Sequence, residues 1–530
     1  MTKRDGGQLV VECLKNFGAT KAFGVPGESY LPILNALHDT RGELDFITCR
    51  QEGGAAFMAA AWGKLTGEPG ICMVTRGPGA TNASIGVHTA KQDSVPMILL
   101  VGQVSTDHLG REAFQEVDYG LMFRDLAKWV VQIDKVDRIP EILSRAWNRA
   151  ISGRPGPVVV VLPEDVLTDT SAAAATGVAS IVSAGEIAEA LATLETSKRP
   201  VMVLGQRLTG TAQIGFQAFC ERHDLPVVAA SRCNDAIDNH SPAYVGEAGV
   251  GMPPHVRRAL AEADLLAFIG GRLDEMTTGA FDLVRCPTPN QQIIQLSSEP
   301  SELGKLVDVG IFVHADPSQV AWEDLRLTSA KTQNNWRDEC RQAHLAAVKK
   351  PKTTTPVNMA AVTAHLQTTL PPDAIVTNGA GNFAFWPNKL FQYGPRQRLL
   401  APISGAMGFG LPAAIAAKVH DPSRTVVCFA GDGDFQMTCQ ELATARQHGA
   451  CPIILLINNG RYGTIRMHQE REYPGRVSGT DMWNPDFVAL AQAYGFHAEK
   501  IERTQDFAKA FERAVASKTG ALLELIVEGQ

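Results

Sequence analysis

Two short clusters of hard oxygen donors stand at the ends of apolar runs late in the chain. Gly431-Asp432-Gly433-Asp434 closes the run TVVCFA, and Asn458-Asn459 closes PIILLI, with Asn459 27 positions after Asp432. Carboxylate and carboxamide oxygens suit Mg²⁺ or Ca²⁺. Glycines beside the aspartate let the backbone approach an anion, and a helix that follows such a turn aims its N–H groups at it. In a parallel sheet, ligands bind beyond the carboxyl ends of the strands, where both clusters fall. Together they read as a clamp for a divalent metal and a diphosphate. A GDG alone marks an ordinary strand-to-helix turn. Strand, GDG, helix, second strand, asparagine pair and Gly463 in succession are far more specific.

The elements that must position these groups recur along the chain. Continuous Val, Ile and Leu runs stand at 70–74, 95–104, 156–163, 200–204, 263–269, 373–377, 424–430 and 451–457, each bounded by turn residues. Such runs predict strands buried on both faces of a parallel sheet. Stretches of helical period lie between them, as in PEILSRAWNRAIS and CQELATARQHGA. Alternation of this kind gives α/β layers with doubly wound parallel sheets. Two shifts in composition read as linkers: TDTSAAAATGVAS at 168–180 and AVKKPKTTTPV at 347–357. They divide the chain into three α/β domains, 1–170, 181–345 and 355–530. No short-period repeat is visible, which excludes a solenoid.

Composition narrows the function classes. The 530 residues are 45% hydrophobic and 20% charged, an ordinary globular balance. A net charge of −7 argues against a general nucleic-acid binder. No apolar run approaches the ~18 residues of a membrane span, and the start MTKRDGGQLVVECLKNFG lacks the apolar core and cleavage site of a secretory signal. The ten cysteines form no CxxC pair. Buried free thiols in a reducing cytoplasm are the expectation, not a zinc ribbon or disulfide scaffold.

GDG followed by NN at this spacing resembles the signature of the thiamine-diphosphate enzymes, and the likeness extends over essentially the whole chain to their acetolactate synthase-like branch. In that family the motif Asp, the second Asn and a backbone carbonyl two residues later hold Mg²⁺ against the cofactor diphosphate. Carried over, these are Asp432, Asn459 and Arg461, with Gly431, Gly433, Asp434, Tyr462 and Gly463 around the diphosphate. The resemblance thus implies a pyrimidine-binding domain, a central Rossmann-like domain and a diphosphate-binding domain. FGVPGESYLPIL and RQEGGAAFMAAAWGKLTG are similar to the family's GxPG turn and RQE segment, which puts Val25, Pro26 and Gly27 beside the pyrimidine and Glu52 on its ring nitrogen. A carboxyl group there favours the imino tautomer, which can remove the thiazolium C2 proton. Without the resemblance, Glu52 would read as a surface residue capping the helix that begins near Gly53. SGAMGFGLPAAIAAK resembles the segment whose bulky residue bends the cofactor, which is Met407 here, with Gly405 and Met407 offering backbone groups to the pyrimidine. Where the family has G-x-G-Q-H, this chain has Gly379-Ala380-Gly381-Asn382-Phe383. Asn382 can replace a Gln donor, Phe383 cannot replace a His, so the backbone amides of Gly381 and Asn382 carry more of the expected contact.

The likeness weakens at the substrate side. GQVSTDHLGREAFQE aligns Phe114 and Gln115 with the family's pocket. The family's G-x-RFDDRVTG is GGRLDEMTTG here, so Met276 replaces an Arg that would meet an acceptor carboxylate. His468 stands where that branch has a pocket Trp, and His88 where a small residue is usual. These departures point to a different acceptor: a keto acid with another anion partner, an aldehyde or an acyl-CoA.

The resemblance implies a 2-oxo acid as substrate. The C2 carbanion attacks its keto carbon, CO₂ leaves, and the remaining fragment joins an acceptor carbonyl or is protonated. Alternatives are a simple decarboxylase, an acyl-CoA or dione lyase, and a non-catalytic cofactor-binding homologue. Active sites shared between two copies, in a homodimer or homotetramer, are implied as well. The central domain holds FAD in part of this branch and is empty elsewhere, and the absence of GxGxxG leaves both open.

Overall fold

The computed structural model describes residues 3–527 apart from 175–186, 207, 286–287, 303–305, 308, 328–334 and 349–355. The linker expected at 347–357 falls largely outside the described residues, whereas that at 168–180 is described as far as Ala174 and includes the strand Thr170–Ser171, paired with Arg4–Asp5. Around them stand three domains, each a six-stranded parallel sheet flanked by helices. In the first, the strands lie in the order Asp45–Thr48, Lys21–Gly24, Gly70–Val74, Met97–Gln103, Pro157–Pro163, Trp129–Gln132. The third runs Arg398–Leu400, Ile375–Asn378, Val426–Gly431, Ile453–Asn458, Ala521–Ile526, His497–Ile501. Numbered by chain order within each domain, both read 2-1-3-4-6-5. The central sheet, from Pro200–Leu204 to Ile311–His314, reads 3-2-1-4-5-6, the order of dinucleotide-binding folds.

The long strands are the ones with continuous apolar runs. Met97–Gln103 and Pro157–Pro163 are buried at every position and pair along their whole length. Each fully buried Val, Ile or Leu contributes about 1.5–3 kcal/mol. The edge strand Trp129–Gln132 pairs with one neighbour only, and its residues are half-buried or exposed.

First and third domains share one hydrophobic core. Its axis is the helix Glu52–Thr66, capped at its start by the Gln51 side chain on Gly54 N–H and closed by Gly67 at φ 80°. Ala55, Ala56, Ala59, Ala60 and Ala61 keep it thin, as Ala413, Ala414, Ala416 and Ala417 do for the helix Gly410–His420 against which it packs. The Phe57 and Phe409 rings meet edge to face at 5.6 Å. On its other flank the same helix meets Pro78–Asp93, where Gly86 is so close that a Cβ would lie 2.3 Å from that of Ala56. Arg398 joins all three domains: it pairs with Asp235 at 2.9 Å and donates to the carbonyls of Lys64 and Leu65 at the helix end, each at 3.0 Å.

Candidate active site

Parallel sheets open a crevice where the chain leaves neighbouring strand ends in opposite directions. In the third domain this point lies between Ile375–Asn378 and Val426–Gly431. The turn Gly379–Asn382 leaves the first of these strands and Asp432 heads the turn that leaves the second. The strand Ile453–Asn458 lies alongside and delivers Asn458 and Asn459.

Asp432 is 2% exposed. Its Oδ2 accepts from Gly460 N–H at 2.9 Å and Asn484 Nδ2 at 2.7 Å. Burial pushes the carboxyl above its ordinary range, and these donors partly offset that. A metal ion would relieve the same penalty, so the donor set fits a cation. Asn458 is fully engaged: Oδ1 accepts from Asn484 and Gly460, and Nδ2 donates to buried Glu524 at 2.7 Å. The Asn459 Oδ1 accepts from Arg461 N–H at 3.2 Å. Arg461 bridges to Asp481, and Tyr462 N–H donates to Thr480, so the 480–484 segment clasps the asparagine turn. Asn484 and Glu524 escaped sequence reasoning because their partners lie 52 and 66 positions away.

The glycines around these groups mark close approach. A Cβ on Gly433 would meet the Tyr462 ring at 2.7 Å, just before Gly463 opens the helix Gly463–Glu472. Asp434 fills the space beside Gly379 and accepts from Ala380 N–H at 3.1 Å and Gly408 N–H at 2.8 Å. Burial pushes its carboxyl up to about 7. Asp434 therefore ties together the Gly379–Asn382 turn and the Gly405–Gly408 turn that carries half-buried Met407. Gly381 sits at φ 149°, and Asn382 Oδ1 accepts from Thr464 at 2.7 Å. Phe383 packs its ring against Gly431 in the core.

The first domain repeats the arrangement with different chemistry. Val25, Pro26 and Gly27 leave the strand Lys21–Gly24, and Thr75-Arg76-Gly77 leaves Gly70–Val74 beside it. The Val25 carbonyl accepts from Tyr30 Oη, and a Cβ on Gly27 would strike Thr75. Glu52 heads its helix half-buried, and Oε2 accepts from Asn82 Nδ2 at 2.9 Å. Asn82, Ile85 and His88 share the exposed face of the helix Pro78–Asp93.

Phe114 and Gln115 come together on one loop. Phe114 is 72% exposed and Gln115 adopts φ 64°. A buried Arg76 holds this loop: Nε donates to the Phe114 carbonyl at 3.1 Å, the guanidinium lies 5.9 Å from the Phe114 ring, and Glu28 and Glu164 pair with it. Sequence reasoning passed over Arg76, whose only local signal is its place after a strand. The other candidates lie on separate elements. Met276 is half-buried in a turn of the central domain, and His468 is exposed on Gly463–Glu472 beside Arg471.

A cavity of about 1120 Å³ opens where the three domains meet. Its walls include Gly205 and Gly270, at the ends of the two central strands where the winding reverses, and Arg232, Arg272 and Asp316. It also touches Gly63–Gly67, the far end of the helix that Glu52 heads.

Three family models match in chain order. "Thiamine pyrophosphate enzyme, N-terminal TPP binding domain" covers residues 4–122, the corresponding "central domain" 187–323, and the "C-terminal TPP binding domain" 379–525. Among curated proteins, the acetolactate synthase large subunit of Parasynechococcus marenigrum is 31% identical over 98% of this chain and 87% of its own. Acetolactate synthase isozyme 2 large subunit of Escherichia coli is 31% identical over 99% and 96%. The acetolactate synthase large subunit of Lactococcus lactis is 32% identical over 98% and 92%.

Proposed function

The chain belongs to the thiamine pyrophosphate enzymes, in their acetolactate synthase-like branch, and from that premise we propose a Mg²⁺-dependent 2-oxo acid decarboxylase and carboligase. The observation that carries this reading is the convergence of buried Asp432 and the Asn458-Asn459 turn at adjoining strand ends. Asp432, Asn459 and the Arg461 carbonyl would hold Mg²⁺. Backbone at Gly381, Asn382, Gly431, Gly433, Tyr462 and Gly463 would meet the diphosphate, and Asp434 would keep the Gly379–Asn382 and Gly405–Gly408 turns in place. When bound, thiamine diphosphate supplies a nucleophilic carbon and an electron sink for the departing carboxylate. Glu52 would exchange a proton with the pyrimidine ring nitrogen, with Val25, Pro26, Gly27 and Gly405 lining the ring. Met407 would pack against the cofactor between its two rings, and Gln115 would donate to the substrate carbonyl beside Phe114.

Two copies of the chain would build each site, in a homodimer or homotetramer. Exposed apolar side chains support this: Ile85, Phe114 and Leu121 in the first domain, Met437, Ile465 and Trp483 in the third. Met276 and His468 favour an acceptor other than the longer 2-oxo acids that an Arg and a Trp would select, and His88 is proposed to line the same substrate pocket. The three-domain cavity is large enough for FAD, since ligand sites commonly span about 300–1,000 Å³, and flavin absorbance of the purified protein checks that assignment. Among the described residues no helix is long and apolar enough to cross a membrane, in keeping with a cytoplasmic enzyme.

The test is a panel of 2-oxo acids, aldehydes and acyl-CoA acceptors with thiamine diphosphate and Mg²⁺, read by CO₂ release and mass spectrometry of products. Cofactor-dependent CO₂ release that Glu52→Gln abolishes is expected, with a ligated product for at least one acceptor. Turnover unaffected by Glu52→Gln contradicts the assignment.

A further inference from the structure

Glu441 is a buried carboxylate with no part in the site described above. It lies nine positions after Asp432 and is 0% exposed. Its Oε1 accepts the backbone N–H of Gln51 at 3.0 Å and of Arg50 at 3.2 Å, and Oε2 accepts Thr444 Oγ1 at 2.6 Å. The Arg50 guanidinium turns instead to Gln447 and the Thr48 carbonyl. Room for the carboxylate exists only because residue 54 is glycine: a Cβ there would lie 2.7 Å from Oε1. Burying an acidic group among neutral donors costs free energy that the hydrogen bonds it makes must offset. Here they fix the two peptide groups that lead into Glu52, while the Gln51 side chain fixes the first turn beyond it through Gly54 N–H at 3.0 Å.

We propose that Glu441 is the positioning residue for Glu52: from the third domain it sets the angle at which the chain enters the helix and so aims the Glu52 carboxyl at its proton partner. This rests on the reading of Glu52 as the group that exchanges a proton with the cofactor. Domain docking does not need Glu441, because the alanine faces of Glu52–Thr66 and Gly410–His420 already join the same two domains. The bond lies within one chain. If sites are shared between copies, the segment 432–441 therefore holds the metal of one site and steers the proton donor of the other.

The variants are Glu441→Gln, which keeps the volume but turns an amide toward the two N–H donors, and the milder Thr444→Val, each as the full chain. In the cofactor-free protein, amide hydrogen exchange of the segment 48–54 is expected to rise about tenfold or more in Glu441→Gln. With saturating thiamine diphosphate and Mg²⁺, deuterium uptake at the thiazolium carbon falls at least about tenfold, within the range of acid–base catalysis. The cofactor concentration for half-saturation moves less than about threefold, because the diphosphate end is untouched. Thr444→Val shifts uptake the same way, less far. In a Glu52→Gln background, Glu441→Gln adds no further loss, since it acts through Glu52.

Deuterium uptake at the wild-type rate in Glu441→Gln, or an additive loss in the double variant, overturns the proposal. If Glu441→Gln does not fold, Thr444→Val decides alone, and unchanged uptake there is the contrary result. Failure of the wild-type chain to promote uptake at all counts against the functional reading instead; the amide exchange of 48–54 then still decides whether Glu441 orders that segment.

Discussion

Asp432 meets water at almost no point, yet its carboxyl accepts only neutral donors, Gly460 N–H and Asn484 Nδ2. Asn484 also bonds Asn458 and Gln436, so one side chain orients both halves of the proposed metal site. Groups that orient metal ligands typically change metal affinity about 10–100-fold when removed. Asn484→Ala is therefore expected to weaken Mg²⁺-dependent cofactor binding by about tenfold or more, measured by calorimetry, with the melting temperature little changed. Unaltered affinity would mean that Gly460 N–H holds Asp432 without Asn484. At this scale the sequence showed the proposed ligands and not the groups that hold them. Asp432 and Asn459 announce themselves through glycines and strand ends. Asn484, Glu524, Glu441 and Arg76 become visible only when distant segments are brought together.

The helix Glu52–Thr66 shows how an element can be built almost without bulk. Alanines on two faces let it sit between Gly410–His420 and Pro78–Asp93, and Gly86 is the tightest point of that packing. Alanine at 86 would gain up to about 1 kcal/mol of helix propensity. Its Cβ would overlap Ala56, and overpacking costs about 1–3 kcal/mol. Gly86→Ala is thus expected to lower the unfolding temperature and, through the helix that presents Glu52, to depress turnover; a stabilised variant would contradict the packing. Continuous apolar runs revealed the central strands because burial on both faces leaves no room for polar alternation. Short strands such as Lys21–Gly24, Trp129–Gln132 and Arg398–Leu400 carry too few residues to show a period. The stretch CQELATARQHGA, of helical period throughout, forms a 3₁₀ turn at Cys439–Glu441 before the helix Leu442–Gln447, where Glu441 turns inward.

Across the whole molecule, the first and third domains share one winding order and the central domain has another. The count of three α/β domains was legible from alternating runs and small-residue stretches. Strand order was not, because it depends on which edges meet. Nor was the shared core of first and third domains, which comes from residues some 350 positions apart packing face to face. The central domain keeps a separate core and its own pH sensitivity. Burial, then the neighbouring His255 and Arg341, holds the His344 imidazole down at about 4 against an ordinary 6.5. A folded-state value below the unfolded one means that the unfolded chain takes up the proton first as pH falls. Stability from this site is thus complete above pH 6.5 and is lost progressively toward pH 4. His344→Gln is expected to flatten the fall in urea midpoint over that window, and an unchanged slope would remove His344 as its source.

The functional expectations depend on the third domain gripping a diphosphate through a divalent ion. Calorimetric titration of the full chain with thiamine diphosphate, with Mg²⁺ present and again after chelation, tests that most directly. Saturable binding that weakens at least about tenfold without the metal is predicted, given the dependence of such sites on their ion. No binding in either condition, or binding indifferent to Mg²⁺ and to Asp432→Ala, would contradict it.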